Sequence, residues 1–180
     1  MIQESWPWFG RGNRLPALPY RVVVGPVDAS YGISGLTEIG MSKQVVQKSL
    51  GHPLVKGLTA KDTERRGFID PEDVAAEFYD GIFAWVRYGE KNRVISITFD
   101  LLAFAQKLRG DQRVLLQYRG ATYLLHKDLS QGDVVAMLRD KSAASDIQLQ
   151  GSEVVIRGTG TSLTFSESTG KLRSVTIIAL

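Results

Sequence analysis

The feature that most restricts how this chain can fold is a helix opening that occurs twice. Met41-Ser42-Lys43-Gln44-Val45-Val46 leads to Leu50, and Leu129-Ser130-Gln131-Gly132-Asp133-Val134 leads to Leu138. Ser42 and Ser130 stand 88 positions apart (130 minus 42), and the same step carries Met41 to Leu129, Val46 to Val134 and Leu50 to Leu138. Each stretch closes on a strand of like character, Ser96-Ile97-Thr98 and Ser174-Val175-Thr176, now 78 apart (174 minus 96). The first stretch therefore carries about ten extra residues between helix and last strand, and an insertion on a repeated scaffold is where function is expected. Two copies are too few for a solenoid. The expected fold class is α+β: two related halves, each a short capped helix followed by an antiparallel β-meander.

Local signals fill in this plan. Residues 1–19 are dense in Trp, Pro and Gly, and their prolines forbid a helix interior, so an extended arm is expected. The first half is expected over 20–108 and the second over 109–180, as separate units or as one continuous domain. Tyr20 to Gly25 reads as a strand and Asp28 to Gly35 as a loop. The first helix starts at Ser42, whose hydroxyl is a candidate cap, puts Val45, Val46 and Leu50 on or near one face, and stops at Gly51-His52-Pro53. Residues 54–74 are the polar insertion. A meander follows over Glu77 to Tyr79, Ile82 to Tyr88 and Val94 to Phe99, with turns at Asp80-Gly81 and Gly89 to Asn92. Ile95, Ile97 and Phe99 are expected on the covered face of its last strand, with Ser96 and Thr98 opposite.

Leu101 to Leu108 reads as a short connecting helix. A hairpin over Arg113 to Tyr118 and Thr122 to His126 turns at Arg119-Gly120. The second helix runs from Ser130 to about Asp140, with Ser130 and Asp133 placed as a capping box. Residues 141–152 read as a polar connector. Val154 to Ile156, Ser162 to Phe165 and Leu172 to Ile178 make a second meander, whose last strand reaches nearly to Leu180. Edge strands of either meander are candidates for pairing across a two-fold axis.

Composition removes several function classes. The chain has no cysteine, so neither disulfides nor thiolate chemistry are available, as suits a reducing cytoplasm. Two histidines, His52 and His126, are too few for a histidine-based metal site. No basic segment followed by an apolar run opens the chain, and no stretch approaches the roughly 18 apolar residues of a membrane span, so a cytoplasmic protein without membrane contact is expected. Net charge is +3 from 22 basic and 19 acidic residues, interspersed as in Lys61-Asp62 and Glu64-Arg65-Arg66. That is a mixed, solvated surface.

Gly32-Ile33-Ser34-Gly35 and Gly158-Thr159-Gly160-Thr161 lack the lysine and following helix of a phosphate site. Asp70, Glu72 and Asp73 could share a proton or bind a divalent ion, but the preferred reading of Asp70-Pro71-Glu72-Asp73 is a solvated turn or helix start, where the backbone dipole favours acids. Neither histidine stands in a nucleophile-activating spacing, so no catalytic residue, metal ligand or cofactor is assigned. Tyr118-Arg119 and Arg87-Tyr88 are candidates for stacking on bases; the basic residues do not line one strand, and nucleic acid is not expected as a partner.

Leu36-Thr37-Glu38-Ile39-Gly40-Met41-Ser42-Lys43-Gln44-Val45-Val46-Gln47-Lys48-Ser49-Leu50-Gly51-His52-Pro53 resembles the helix opening of small α+β domains of the outer-membrane assembly lipoprotein (BamE/SmpA) type. It is also similar to cytosolic immunity proteins of bacterial polymorphic and contact-dependent toxins. The resemblance covers residues 36–99 and carries no catalytic residue. It implies a helix followed by an antiparallel meander, and a protein that works by binding. Lacking a lipid-accepting cysteine, the chain sits better with the immunity proteins, which occlude their toxins stoichiometrically. The expected partner is thus a cognate protein toxin, held through an interface of about 1,600 Å². Candidate contacts are Lys61, Asp62, Glu64, Arg65, Arg66, Asp70, Glu72 and Asp73 of the insertion and Trp6 and Trp8 of the arm. A toxin with an acidic face suits the mildly basic chain. An adaptor of the envelope-assembly kind and a nucleic-acid-binding module are the alternatives.

Overall fold

The computed structural model describes residues 21–53, 76–79, 82, 84–101, 111–140 and 144–180, and within these the chain is α+β. Two helices, α1 (Lys43–Leu50) and α2 (Gln131–Arg139), accompany twelve strands in two sheets. The smaller sheet has the order β3-β2-β1-β7-β8, built from β1 (Arg21–Asp28), β2 (Gly32–Ile33), β3 (Thr37–Glu38), β7 (Asp111–Tyr118) and β8 (Ala121–His126). The larger has the order β4-β5-β6-β12-β11-β10-β9. Its strands are β4 (Ala76–Tyr79), β5 (Ala84–Tyr88), β6 (Val94–Asp100), β9 (Ile147–Gln150), β10 (Glu153–Ile156), β11 (Thr161–Phe165) and β12 (Leu172–Ile178). Both sheets draw strands from both sides of residue 109, so neither stretch closes a sheet by itself.

One apolar core serves both sheets and both helices. Val27 and Ile33 of the small sheet, Ile97, Phe99, Leu163 and Val175 of the large one, Val46 of α1 and Val134 and Leu138 of α2 all belong to it. Gly32 lies so close to β6 that a Cβ there would stand 2.6 Å from the Ile97 side chain. The Thr161 hydroxyl donates to the Ala29 carbonyl, tying the large sheet to the end of β1. β1 pairs in parallel with β7, and their register shifts between Val24 and Pro26. Proline has no N–H for a ladder, so an interior strand accommodates it at such an irregularity.

Several backbone contacts recur in the two helix-plus-meander stretches. Ser42 forms an isolated bridge with Arg93, and Ser130 forms one with Lys171. The Val94 N–H donates to the Met41 carbonyl at 2.9 Å, and the Leu172 N–H to the Leu129 carbonyl at 2.8 Å. Each helix start is thereby fixed to the first residue of its last strand. The β5–β6 register shifts between Arg87 and Tyr88, and the β11–β12 register shifts between Thr164 and Phe165. β6 and β12 then pair antiparallel down the middle of the large sheet, from Ser96↔Ile178 to Asp100↔Ser174.

Several expectations are corrected. Residues 28–35 are not all loop, because β1 continues to Asp28 and β2 pairs back on it through Val27↔Ile33. The 141–152 connector contains β9, which pairs with β10 from Ile156↔Ile147 to Glu153↔Gln150. The capping box of α2 is present, with the Asp133 N–H donating to Ser130 Oγ at 3.2 Å and the Ser130 N–H to Asp133 Oδ2 at 2.8 Å. Ser42 occupies the cap position of α1, but its side chain makes no cap bond. Val45 faces solvent while Val46 is buried. Ser96 is buried too, because β6 is central and covered on both faces there. The expected helix over Leu101 to Leu108, apart from Leu101, and the Asp80-Gly81 turn lie outside the described residues. No helix among the described residues is long and apolar enough to cross a membrane.

Candidate functional site

Lys43 is the first residue of α1, where unpaired N–H groups make the helix end positive and a cation is disfavoured. Its ammonium is held by another element: Nζ lies 2.5 Å from Glu77 Oε1 on β4, with the Glu77 side chain 5% exposed and that of Lys43 32% exposed. Alternation along β4 places Tyr79 on the same face as Glu77. The Tyr79 hydroxyl donates to Glu77 Oε2 at 2.8 Å and lies 2.8 Å from the Tyr88 hydroxyl on β5. A phenol has one proton, so with Tyr79 donating to the carboxylate, Tyr88 donates to Tyr79. The Lys43 ammonium also stands 5.2 Å from the Tyr88 ring centroid, within range of a cation–π contact.

This is a relay from a buried interior to a surface cation. Burial, then the hydrogen bond with Tyr88, then the Glu77 carboxylate push the Tyr79 phenol far above its ordinary range. Burial first, with Glu77 adding, pushes Tyr88 up to about 12 against a lowering contribution from its bond to Tyr79. Both Glu77 oxygens are engaged, so the group this cluster offers outward is the ammonium of Lys43.

The register shows what stands at the matching places of the second stretch. Phe78 pairs with Trp85 and Trp85 with Thr98, while Val155 pairs with Ser162 and Ser162 with Thr176. Glu77 and Tyr79 thus correspond to Val154 and Ile156, both fully buried, and Tyr88 corresponds to the buried Phe165. Lys43 corresponds to Gln131, each being the first residue of its helix. Where one stretch has an ion pair and two phenols, the other has aliphatic and aromatic core. The second stretch fills the matching positions without a polar cluster, and a buried ion pair is seldom more stabilising than apolar packing of similar volume.

Trp6 and Trp8, and Lys61, Asp62, Glu64, Arg65, Arg66, Asp70, Glu72 and Asp73, lie outside the described residues. The stacking candidates do not present their rings, since Tyr88 and Tyr118 are buried. Arg119 lies over the Tyr118 ring and also pairs with Asp146 at 2.8 Å. His52 is exposed, and His126 Nδ1 lies 3.8 Å from Asp128, an ion pair when the imidazole is protonated. Among the described residues no three His, Asp or Glu side chains are grouped to hold a metal ion. The Lys43–Glu77 cluster escapes sequence reading because its four members come from three elements. The one signal that could have found it is the mismatch between copies, visible only once the strands are in register.

No protein-family model, no curated protein and no solved structure matches this chain.

Proposed function

We propose that the chain is a duplicated helix-plus-meander scaffold acting as a non-catalytic binding protein, and specifically a cytosolic immunity protein that neutralises a cognate bacterial toxin by stoichiometric binding. The observation carrying the binding reading is the Lys43 ammonium. A buried carboxylate holds it at a helix end that repels it, while the matching positions of the other stretch do without any ion pair. A cation fixed in advance loses little side-chain freedom on contact, which favours a partner presenting a carboxylate. The toxin assignment rests on the likeness of residues 36–53 to immunity proteins. The insertion residues from Lys61 to Asp73, with Trp6 and Trp8, complete the proposed contact set.

The test is co-expression with the toxin encoded beside its gene. The chain should restore growth and form a one-to-one complex. In calorimetric titration, Lys43→Gln combined with Glu77→Gln should weaken that complex at least tenfold while the circular dichroism spectrum stays unchanged. Unrelieved toxicity, or capture of nucleic acid with an affinity that falls steeply with salt, would overturn the reading. Recovery of envelope components alone would favour the adaptor alternative.

A further inference from the structure

β8 closes one end of the small sheet, and no strand among the described residues pairs with its outer side. Its hairpin with β7 turns through Arg119 and Gly120, whose φ angles of 49° and 75° are those of a tight two-residue turn. Tyr118 and Ala121 flanking that turn are the hydrogen-bonded pair, and bonding alternates along an antiparallel ladder. The main-chain groups of Ala121, Tyr123 and Leu125 therefore point to β7, and those of Thr122, Leu124 and His126 point outward.

Natural edges carry charge, proline or a bulge that discourages further pairing. From Ala121 to Leu125 there is no charge and no proline, and the register with β7 runs without a shift. Leu124 is 37% exposed, and Thr122 beside it is exposed too. We infer that β8 pairs antiparallel with β8 of a second copy of this chain, about a two-fold axis at Leu124. That axis keeps each residue on its own face and sets outward-bonding residues opposite one another. Both conditions hold when Leu124 meets Leu124, Thr122 meets His126 and His126 meets Thr122.

This register offers about six main-chain hydrogen bonds, two of them to His126 carbonyls that also accept the Leu129 N–H at 3.2 Å, and joins two small sheets into one. Its side-chain chemistry is self-complementary: leucine faces leucine at the axis, and a hydroxyl faces an imidazole on either side. No like charges oppose, and the edge holds no fixed charge that would select an acidic or basic foreign strand. β6 and β12 already pair in this manner inside the chain, antiparallel with Thr98 against Thr176. β9 is the other uncharged edge, with Leu149 53% exposed, but its four residues turn only Ile147 and Leu149 outward.

The chain has no cysteine, so a single introduced thiol is a clean probe. Hydrogen-bonded antiparallel neighbours have Cα atoms about 5.5 Å apart, within the reach of a disulfide. In the full-length protein, Leu124→Cys should give a covalent dimer under mild oxidation and Leu149→Cys should stay monomeric. By sedimentation equilibrium the unmodified chain should show a concentration-dependent dimer. Leu124→Lys should raise its dissociation constant at least tenfold without altering the circular dichroism spectrum, and Leu149→Lys should leave it in place. A monomer throughout, a dimer sensitive only to Leu149→Lys, or a monomer whose Leu124→Lys variant loses the toxin instead, would each overturn the pairing with a second copy.

Discussion

Thr98 and Thr176 meet hydroxyl to hydroxyl at 3.1 Å in the middle of the β6–β12 seam. They are the fifth residues of strands that begin at Val94 and Leu172, so the contact joins like positions of two like strands. Removing one hydroxyl leaves the other without its partner in a half-buried place. Thr98→Val should cost about 1 kcal/mol, and Thr98→Val with Thr176→Val less than the two single losses combined. Urea unfolding of the four proteins checks this, and strict additivity would show that the hydroxyls act independently.

The Lys43–Glu77–Tyr79–Tyr88 cluster can be replaced by the residues of the second stretch. Lys43→Gln alone should cost about 1–3 kcal/mol, since it leaves a buried carboxylate without its cation. The fourfold variant Lys43→Gln, Glu77→Val, Tyr79→Ile and Tyr88→Phe should remain folded. Its loss should fall short of the sum of the single losses by more than about 1 kcal/mol, because groups bonded to each other are removed together. Thermal unfolding of the set decides it, and an unfolded fourfold variant would mean that the fold needs the cluster.

The contrast between these residues and the repeated helix openings marks how far sequence reading reaches. Ser130 with Asp133, the Arg119-Gly120 turn and the alternation Ser162-Leu163-Thr164-Phe165 are local patterns whose chemistry lies within a few residues, and these features appear as expected. β9 was hidden because Ile147-Gln148-Leu149-Gln150 is an edge strand that exposes Leu149, so it lacks a dry face of valines and aromatics. The smaller sheet was hidden because β1 pairs in parallel with a strand that begins 90 positions later (111 minus 21), and no local signal encodes that. Nothing local in the sequence distinguishes Glu77 from any other strand charge, since only its tertiary partners mark it as buried and paired.

The phenols predict an alkaline limit to stability. The unfolded chain releases tyrosine protons near pH 10, whereas Tyr88 holds its proton until about 12 and Tyr79 holds its own longer still. The raised folded values contribute stability that is whole below about pH 10 and is lost as pH rises through the folded pKa. Phenolate absorbance should therefore rise in two stages, with Tyr79 and Tyr88 ionising late and together with unfolding. Tyr88→Phe should remove part of the drop between pH 10 and 12, and simultaneous titration of all six tyrosines near pH 10 would contradict it.

Two serines at equivalent helix starts should respond differently to the same change. Ser130→Ala removes the acceptor for the Asp133 N–H and should cost about 1 kcal/mol. Ser42→Ala should be close to neutral, since that hydroxyl caps nothing. Chemical denaturation of both variants tests the order, and a larger loss at Ser42 would place a cap bond on α1.

Gly32 should tolerate alanine far less than Gly35, although both have positive φ. At Gly32 φ is 112°, and a Cβ would stand 2.6 Å from both the Thr37 carbonyl oxygen and the Ile97 Cδ1. The isoleucine tip can rotate away, but the carbonyl belongs to the β2–β3 pairing through Ile33↔Thr37 and cannot move without breaking it. At Gly35 φ is 72° and nothing lies within 4 Å, so only backbone strain of about 1 kcal/mol is added. Gly32→Ala should therefore lose at least about 2–3 kcal/mol and Gly35→Ala about 1 kcal/mol in denaturant unfolding. Because Gly32 is where the small sheet touches β6, its alanine variant should also speed amide exchange in β2 and β3 ahead of global unfolding, whereas the Gly35 variant should not.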